Sequence, residues 1–259
     1  CLVAPFAMVT SLEDVKEAVE FIGFPCYLKY TQRHIEAVSS HLILYSEADY
    51  EAAQDKIALG TCILEAWIPS EKVVSLSVIR NERGELLVYP PFEQVQSSVV
   101  SGTQVRYPVK LHEEVEREIR RLGRYLVETL ALVGCMTIDF LVTSAGVVYI
   151  NSVEIGAKDA AMFTLGAMSL SCYEAMVRSV VGLPLPSLVP LADAAIALPL
   201  EALNAEQVMT QYMLRTDWGF ALFNPMGRNP LDLEGQVIVT GESLAHCQRQ
   251  IELTDILKK

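Results

Sequence analysis

From Ser11 onward the apolar positions Val15, Ala18, Val19 and Ile22 recur at intervals of three and four, and the run stops at Gly23. That spacing lines one face of an α-helix, and Ser11 three residues before Asp14 is a loose capping box, so a capped amphipathic helix is predicted up to Gly23. A second helix is predicted over 47–59, closed by Gly60. The longest spans 112–132, where Val115, Ile119, Leu122, Leu126 and Leu130 form an apolar stripe. The Glu and Arg residues opposite it read as a solvated face. Further helices are expected over 170–181, ended by Gly182 and Pro184, and from 243 to about 251.

Between these lie runs with strand character. One over 24–28 is entered through Pro25, another covers 41–45, and a buried strand covers 61–68, ending at Pro69. Two strand pairs, 73–80 with 85–89 and 134–142 with 147–151, are each joined by a short polar loop containing glycine, which is a hairpin signal. The Pro-rich, apolar segment 188–191 is a plausible boundary, beyond which 196–200, 220–223 and 236–240 read as short strands of a small all-β unit closed by the last helix. The fold class is α+β, with divisions expected at 1–68, 69–188 and 189–259, and no repeat is visible.

Composition narrows the function classes. With 51% hydrophobic residues among 259 and a mean hydropathy of +0.30, the chain can bury a large core and is not a disordered sequence. Twenty Lys and Arg stand against 32 Asp and Glu, a net charge of −12 that repels polyanions, so a general nucleic-acid binder is not expected. The longest strongly apolar stretch, 122–142, is broken by Arg124, Glu128 and Asp139, short of the ~20 clean residues a membrane span needs. Six cysteines are scattered without a CxxC pair, which reads as small buried side chains in the cytoplasm or another reducing compartment, an organellar matrix included. Four histidines, none two to a helix face, argue against zinc. The amino end, Cys1 to Phe6, carries neither an initiator Met nor a targeting pattern, and the expectation is that it begins inside something longer.

Several strings, in order along the chain, carry a resemblance. They are Val3-Ala4-Pro5-Phe6 with Ser11-Leu12-Glu13-Asp14, the G-x-P-x-x-x-K run from Gly23 to Lys29, and Glu65-Ala66-Trp67-Ile68-Pro69. They continue with Tyr89-Pro90 and Glu93-Gln94, the strand 134–142 around Asp139, Ile150-Asn151, and Ser171-Cys172-Tyr173-Glu174 with Arg178 and 182–185. Together they resemble the ATP-grasp superfamily, and within it the N5-carboxyaminoimidazole ribonucleotide synthetase (PurK) family. The resemblance implies an ATP-grasp fold of two α+β subdomains, a nucleotide-binding one over 1–68 and a metal- and phosphate-side one over 69–188, followed by a small β-rich domain over 189–259. It implies ATP and Mg²⁺ as cofactors and carboxylation of aminoimidazole ribonucleotide in purine synthesis. Family members also begin with a Rossmann-like domain of about one hundred residues, expected here to be missing or supplied elsewhere, and they often dimerise.

Phosphoryl activation needs backbone amides close to the phosphates, a cation on their oxygens, and carboxylates that hold Mg²⁺. By resemblance Lys29 is the phosphate lysine, Glu65 and Ile68 are the adenine hinge, and Asp139, Asn151 and Glu154 are the metal ligands. Asp139 is one methylene shorter than the glutamate it replaces. At the second metal position stand Asn151-Ser152, with Glu154 on the same strand face as Ser152 if the chain stays extended. The family's glycine-rich loop corresponds to 30–40, and no glycine occurs between Gly23 and Gly60. Its ribose-binding glutamate aligns with Ser75, and Glu71 reaches in only through a bulge. Lys158 is the single cation of 154–162, and 230–237 has Asp232 and Leu233 where the family has two cations.

The leading expectation is therefore a catalytically degenerate relative, a pseudoenzyme kept as a structural or interaction module within a larger assembly. The alternatives are an active ATP-dependent carbon–nitrogen ligase and a nucleotide sensor without turnover.

Overall fold

In the computed structural model the helix expected after Ser11 is α1 (Leu12–Ile22), and its start is fixed by a reciprocal cap. Ser11 Oγ accepts the Asp14 N–H at 3.2 Å, while the Asp14 carboxylate accepts the Ser11 N–H at 2.9 Å. The structure describes residues 1–31, 41–96, 102–223 and 234–257, which fall into two units, Cys1–Pro69 and Ser70–Lys259. The first division lies one residue from the boundary expected at 68/69.

In the first unit, β1 (Phe6–Val9), β2 (Cys26–Tyr30), β3 (His41–Leu44) and β4 (Cys62–Ala66) form an antiparallel sheet ordered β1-β4-β2-β3. Helix α1 and α2 (Tyr50–Ala58) cover one face, burying Val15, Ala18, Ala53 and Ile57 against Cys26, Leu28, Cys62 and Leu64. Strand alternation then puts Tyr27, Lys29 and Glu65 on the opposite face. The segment 30–40, read in place of a glycine-rich loop, lies from residue 32 on outside the described residues.

The second unit is built on a nine-stranded sheet among the described residues, ordered β10-β9-β5-β7-β8-β11-β13-β12, with β6 paired to β5. The strands are β5 (Lys72–Arg80), β6 (Leu86–Val88), β7 (Phe92–Gln96), β8 (Thr103–Tyr107), β9 (Gly134–Val142), β10 (Val148–Ile155), β11 (Ala194–Pro199), β12 (Trp218–Phe223) and β13 (Glu234–Gly241). Helix α3 (Glu113–Thr129) lays the expected stripe of Val115, Ile119 and Leu122 on Val74, Leu76, Val78, Ile138 and Phe140. The other face packs on α4 (Thr164–Ala167) and α5 (Cys172–Val180), through Ile79, Cys135, Ala167, Cys172 and Ala175. Apolar residues of β5 and β9 thus alternate with Ser75, Ser77, Thr137 and Asp139, which face the α5 side.

The β-rich domain expected over 189–259 is not a separate unit here. Strand β11 hydrogen-bonds to β8, so the terminal strands continue the same sheet. That region also contains α6 (Ala205–Leu214), a helix not predicted from its pattern, besides the expected α7 (Leu244–Leu253). The run 230–233, with its replaced cations, lies outside the described residues.

Candidate functional site

Strands β5 and β9 pair without interruption from Lys72 opposite Val142 to Arg80 opposite Gly134, which sets Ser75 against Asp139. With no bulge in that pairing, Glu71 stays exposed at the strand's edge and does not come back to the Ser75 position. On the other side of β9, Ile150 opposes Phe140 while Ser152 opposes Asp139, so Asn151 is the extra residue of a β-bulge. The slip has two consequences. It brings Ser152 into one row with Ser75 and Asp139, and it leaves Asn151 exposed outside that row. Beyond the bulge the chain stays extended, with Glu154 opposite Thr137 in the next row.

Asp139 is the hub of this face and is only 8% exposed. Its Oδ1 accepts from Ser75 Oγ at 2.6 Å and from Gln94 Nε2 at 3.0 Å. Its Oδ2 accepts from Ser152 Oγ at 2.8 Å and from Lys158 Nζ at 2.7 Å. Four donors on two oxygens match the acceptor capacity of a carboxylate. The Lys158 ammonium in turn has three acceptors for its three N–H groups: Asp139, Glu154 Oε1 at 2.9 Å and Ser152 Oγ at 3.2 Å.

The lysine is held at both ends. Its carbonyl accepts from Tyr173 Oη at 2.7 Å and from the Ala161 N–H at 2.8 Å, at the start of a short 3₁₀ turn. Burial pushes the Tyr173 phenol up, so it remains a protonated donor. The ammonium is thus delivered by a fixed backbone.

These residues do not fit Mg²⁺ as they stand. That ion takes six oxygen ligands at about 2.0–2.1 Å in octahedral geometry. Here the lone pairs of Asp139 are taken and the gap between Asp139 and Glu154 holds an ammonium. Among the described residues no three His, Cys, Asp or Glu side chains group as metal ligands. Of the three expected ligands, the fold brings together Asp139 and Glu154, through Lys158, and not Asn151.

Beside the cluster is a cavity of about 530 Å³ lined by Gln94, Glu154, Lys158 and Gln236, among others. Among the described residues its lining carries four carboxylates, Glu154, Asp159, Glu201 and Glu234, and one cation, Lys158.

In the first unit Lys29 and Glu65 meet, with Nζ to Oε2 at 2.5 Å. The Lys29 ammonium also lies 5.2 Å from the Tyr27 ring, and Tyr27 stacks on Trp67 with centroids 5.0 Å apart and planes 6° from parallel. Ile68 follows two residues after β4, half-buried. Lys29 and Glu65 therefore share a sheet face, as their strand positions require, and each neutralises the other.

Sequence reasoning singled out Lys158 as a remnant cation and missed what it binds. The available signal was its spacing of four from Glu154 across Gly156, which allows a chain reversal that returns the ammonium to the strand. Gln94 lies in one of the strings that carry the resemblance, and its bond to Asp139 comes from the pairing of β7 with β5.

Comparison with known proteins gives this geometry a family. The N5-carboxyaminoimidazole ribonucleotide synthase of Bacillus subtilis is 26% identical over 185 residues, 71% of this chain and 48% of that protein. The chain thus spans about half the length of that relative. A solved ADP complex of an N5-carboxyaminoimidazole ribonucleotide synthetase superposes with a TM-score of 0.88 at 24% identity, over 98% of this chain and 66% of the other. The Aspergillus clavatus carboxyaminoimidazole ribonucleotide synthase complexed with ATP gives 0.84 at 17% identity, over 98% and 68%. The ATP-grasp domain model matches residues 1–173, and the chain belongs to the ATP-grasp family.

Proposed function

We propose that this chain is a catalytically degenerate relative of the N5-carboxyaminoimidazole ribonucleotide synthetases, retained as a structural or interaction module. The observation that carries the reading is the saturation of Asp139, the carboxylate at the expected metal position, by four donors of the chain itself. A phosphoryl-transfer site must neutralise charge that develops on the transferring phosphate, which in this family's reading falls to Mg²⁺. The Lys29–Glu65 pair weighs less. Lys29 is 35% exposed, and such pairs contribute about 0–1 kcal/mol, so a phosphate could still draw Lys29 away.

The test is calorimetry of the purified protein with ATP, with and without Mg²⁺, alongside phosphate release with bicarbonate and aminoimidazole ribonucleotide. The expected outcome is no Mg²⁺-dependent heat and no release above background. A micromolar, Mg²⁺-dependent dissociation constant, or release that requires both co-substrates, overturns the proposal.

A further inference from the structure

We infer that Lys158 is a resident cation that takes the place of a divalent ion, and that its ammonium keeps the Asp139–Glu154 pair closed to metal. This goes beyond degeneracy, which could come from any loss of ligands, and it rests on that reading only in taking the wild-type site as metal-free. Three observations carry it. The ammonium touches both carboxylates at once, at 2.7 and 2.9 Å, so it sits where one cation serves two anions. Its three contacts are all to oxygen, the donor type that Mg²⁺ and Mn²⁺ require. Its backbone is tied down by Tyr173 and Ala161, so the side chain is placed rather than draped.

The charges lead to the same conclusion. A divalent ion in the position of the ammonium brings two positive charges to the two carboxylates where Lys158 brings one. Ser75 and Gln94 already orient Asp139, and they continue to do so when the ammonium is gone.

The experiment titrates Mn²⁺ into the metal-free protein, followed by the loss of its free paramagnetic signal, for the wild type, Lys158→Ala, Lys158→Met and Lys158→Arg. The wild type and Lys158→Arg are expected to leave Mn²⁺ free. Lys158→Ala is expected to bind one ion at least about tenfold more tightly than either, and to lose it again when Asp139→Asn is added. Its melting temperature should rise with Mn²⁺, whereas the wild type's should not. Lys158→Met removes the charge but fills the space, so its affinity should fall between the two.

A folded Lys158→Ala without Mn²⁺ binding overturns the inference while leaving the proposed function standing. A wild type that binds Mn²⁺ as tightly as Lys158→Ala overturns it too, because the ammonium is then no barrier. Failure of both uncharged variants to fold, with metal as without, also counts against it, since a divalent ion should replace what was removed. Mg²⁺-dependent ATP binding by the wild type would instead strike the proposed function directly.

Discussion

A carboxylate that accepts four hydrogen bonds is costly to alter, because each donor loses its acceptor together with the charge that strengthened the bond. Asp139 is in that position, with its side chain 11% exposed and that of Lys158 16%. Breaking a pair buried to this degree leaves an uncompensated charge and costs about 3–5 kcal/mol. Lys158 keeps Glu154 as a partner, so Asp139→Asn should fall at the low end, about 3 kcal/mol by urea denaturation. Combined with Lys158→Met, the two losses should be less than additive by about 1 kcal/mol or more, since both changes remove the same ion pair. Strict additivity would show that the ammonium and the carboxylate do not depend on one another.

At the scale of elements, helix α3 shows how a close approach is written into the chain. Gly123 faces the sheet, and a Cβ built there would come within 2.4 Å of Leu76 Cδ2 and 3.2 Å of Val78 Cγ2. Leu76 is fully buried, so its methyl has no free space to retreat into. Gly123→Ala gains about 0.5–1 kcal/mol of helix propensity and loses about 1–3 kcal/mol to overpacking, so the net effect should be destabilising by roughly 1 kcal/mol. A stabilised variant would mean that α3 can lift from the sheet without penalty.

Elements with strong periodicity or turn chemistry were legible in the sequence. The stripe of α3 from Val115 to Leu122, the cap of α1, and the hairpins of β5 with β6 and of β9 with β10 are in the structure within a few residues of where the pattern puts them, whereas Leu130, expected in that stripe, lies past the helix end and is exposed. Helix α6 was not legible. It buries only Val208 and Gln211, leaves Met209, Tyr212 and Met213 exposed, and so lacks an apolar stripe, although Asn204 caps it by accepting from the Glu206 and Gln207 N–H groups. The site divides in the same way. Ser75, Asp139 and Glu154 follow from strand alternation, whereas the slip at Asn151 and the return of Lys158 depend on a bulge and a turn that no periodicity announces.

At the scale of the whole chain, the two units have very different reserves. The first keeps one cluster of buried apolar residues among its described positions, the second keeps three. Small domains bury a smaller share of their surface, about 60% near 60 residues and about 70% near 150, so the first unit should open more readily than the second. The cysteines report on this without added probes. Cys1 is exposed, Cys26 and Cys62 are buried in the first unit, and Cys135, Cys172 and Cys247 are buried in the second. Burial raises the thiols of Cys26 and Cys247, each to about 11, which further suppresses their reaction near neutral pH while the chain is folded. Pulsed alkylation at pH 8 in rising urea, read by mass spectrometry, should label Cys1 at once, then Cys26 and Cys62 together, and the remaining three only at higher denaturant. Simultaneous labelling of all five buried thiols would show that the units unfold as one cooperative body, and labelling of Cys135 and Cys172 before Cys26 would place the weaker core on the side of the sheet that carries Asp139.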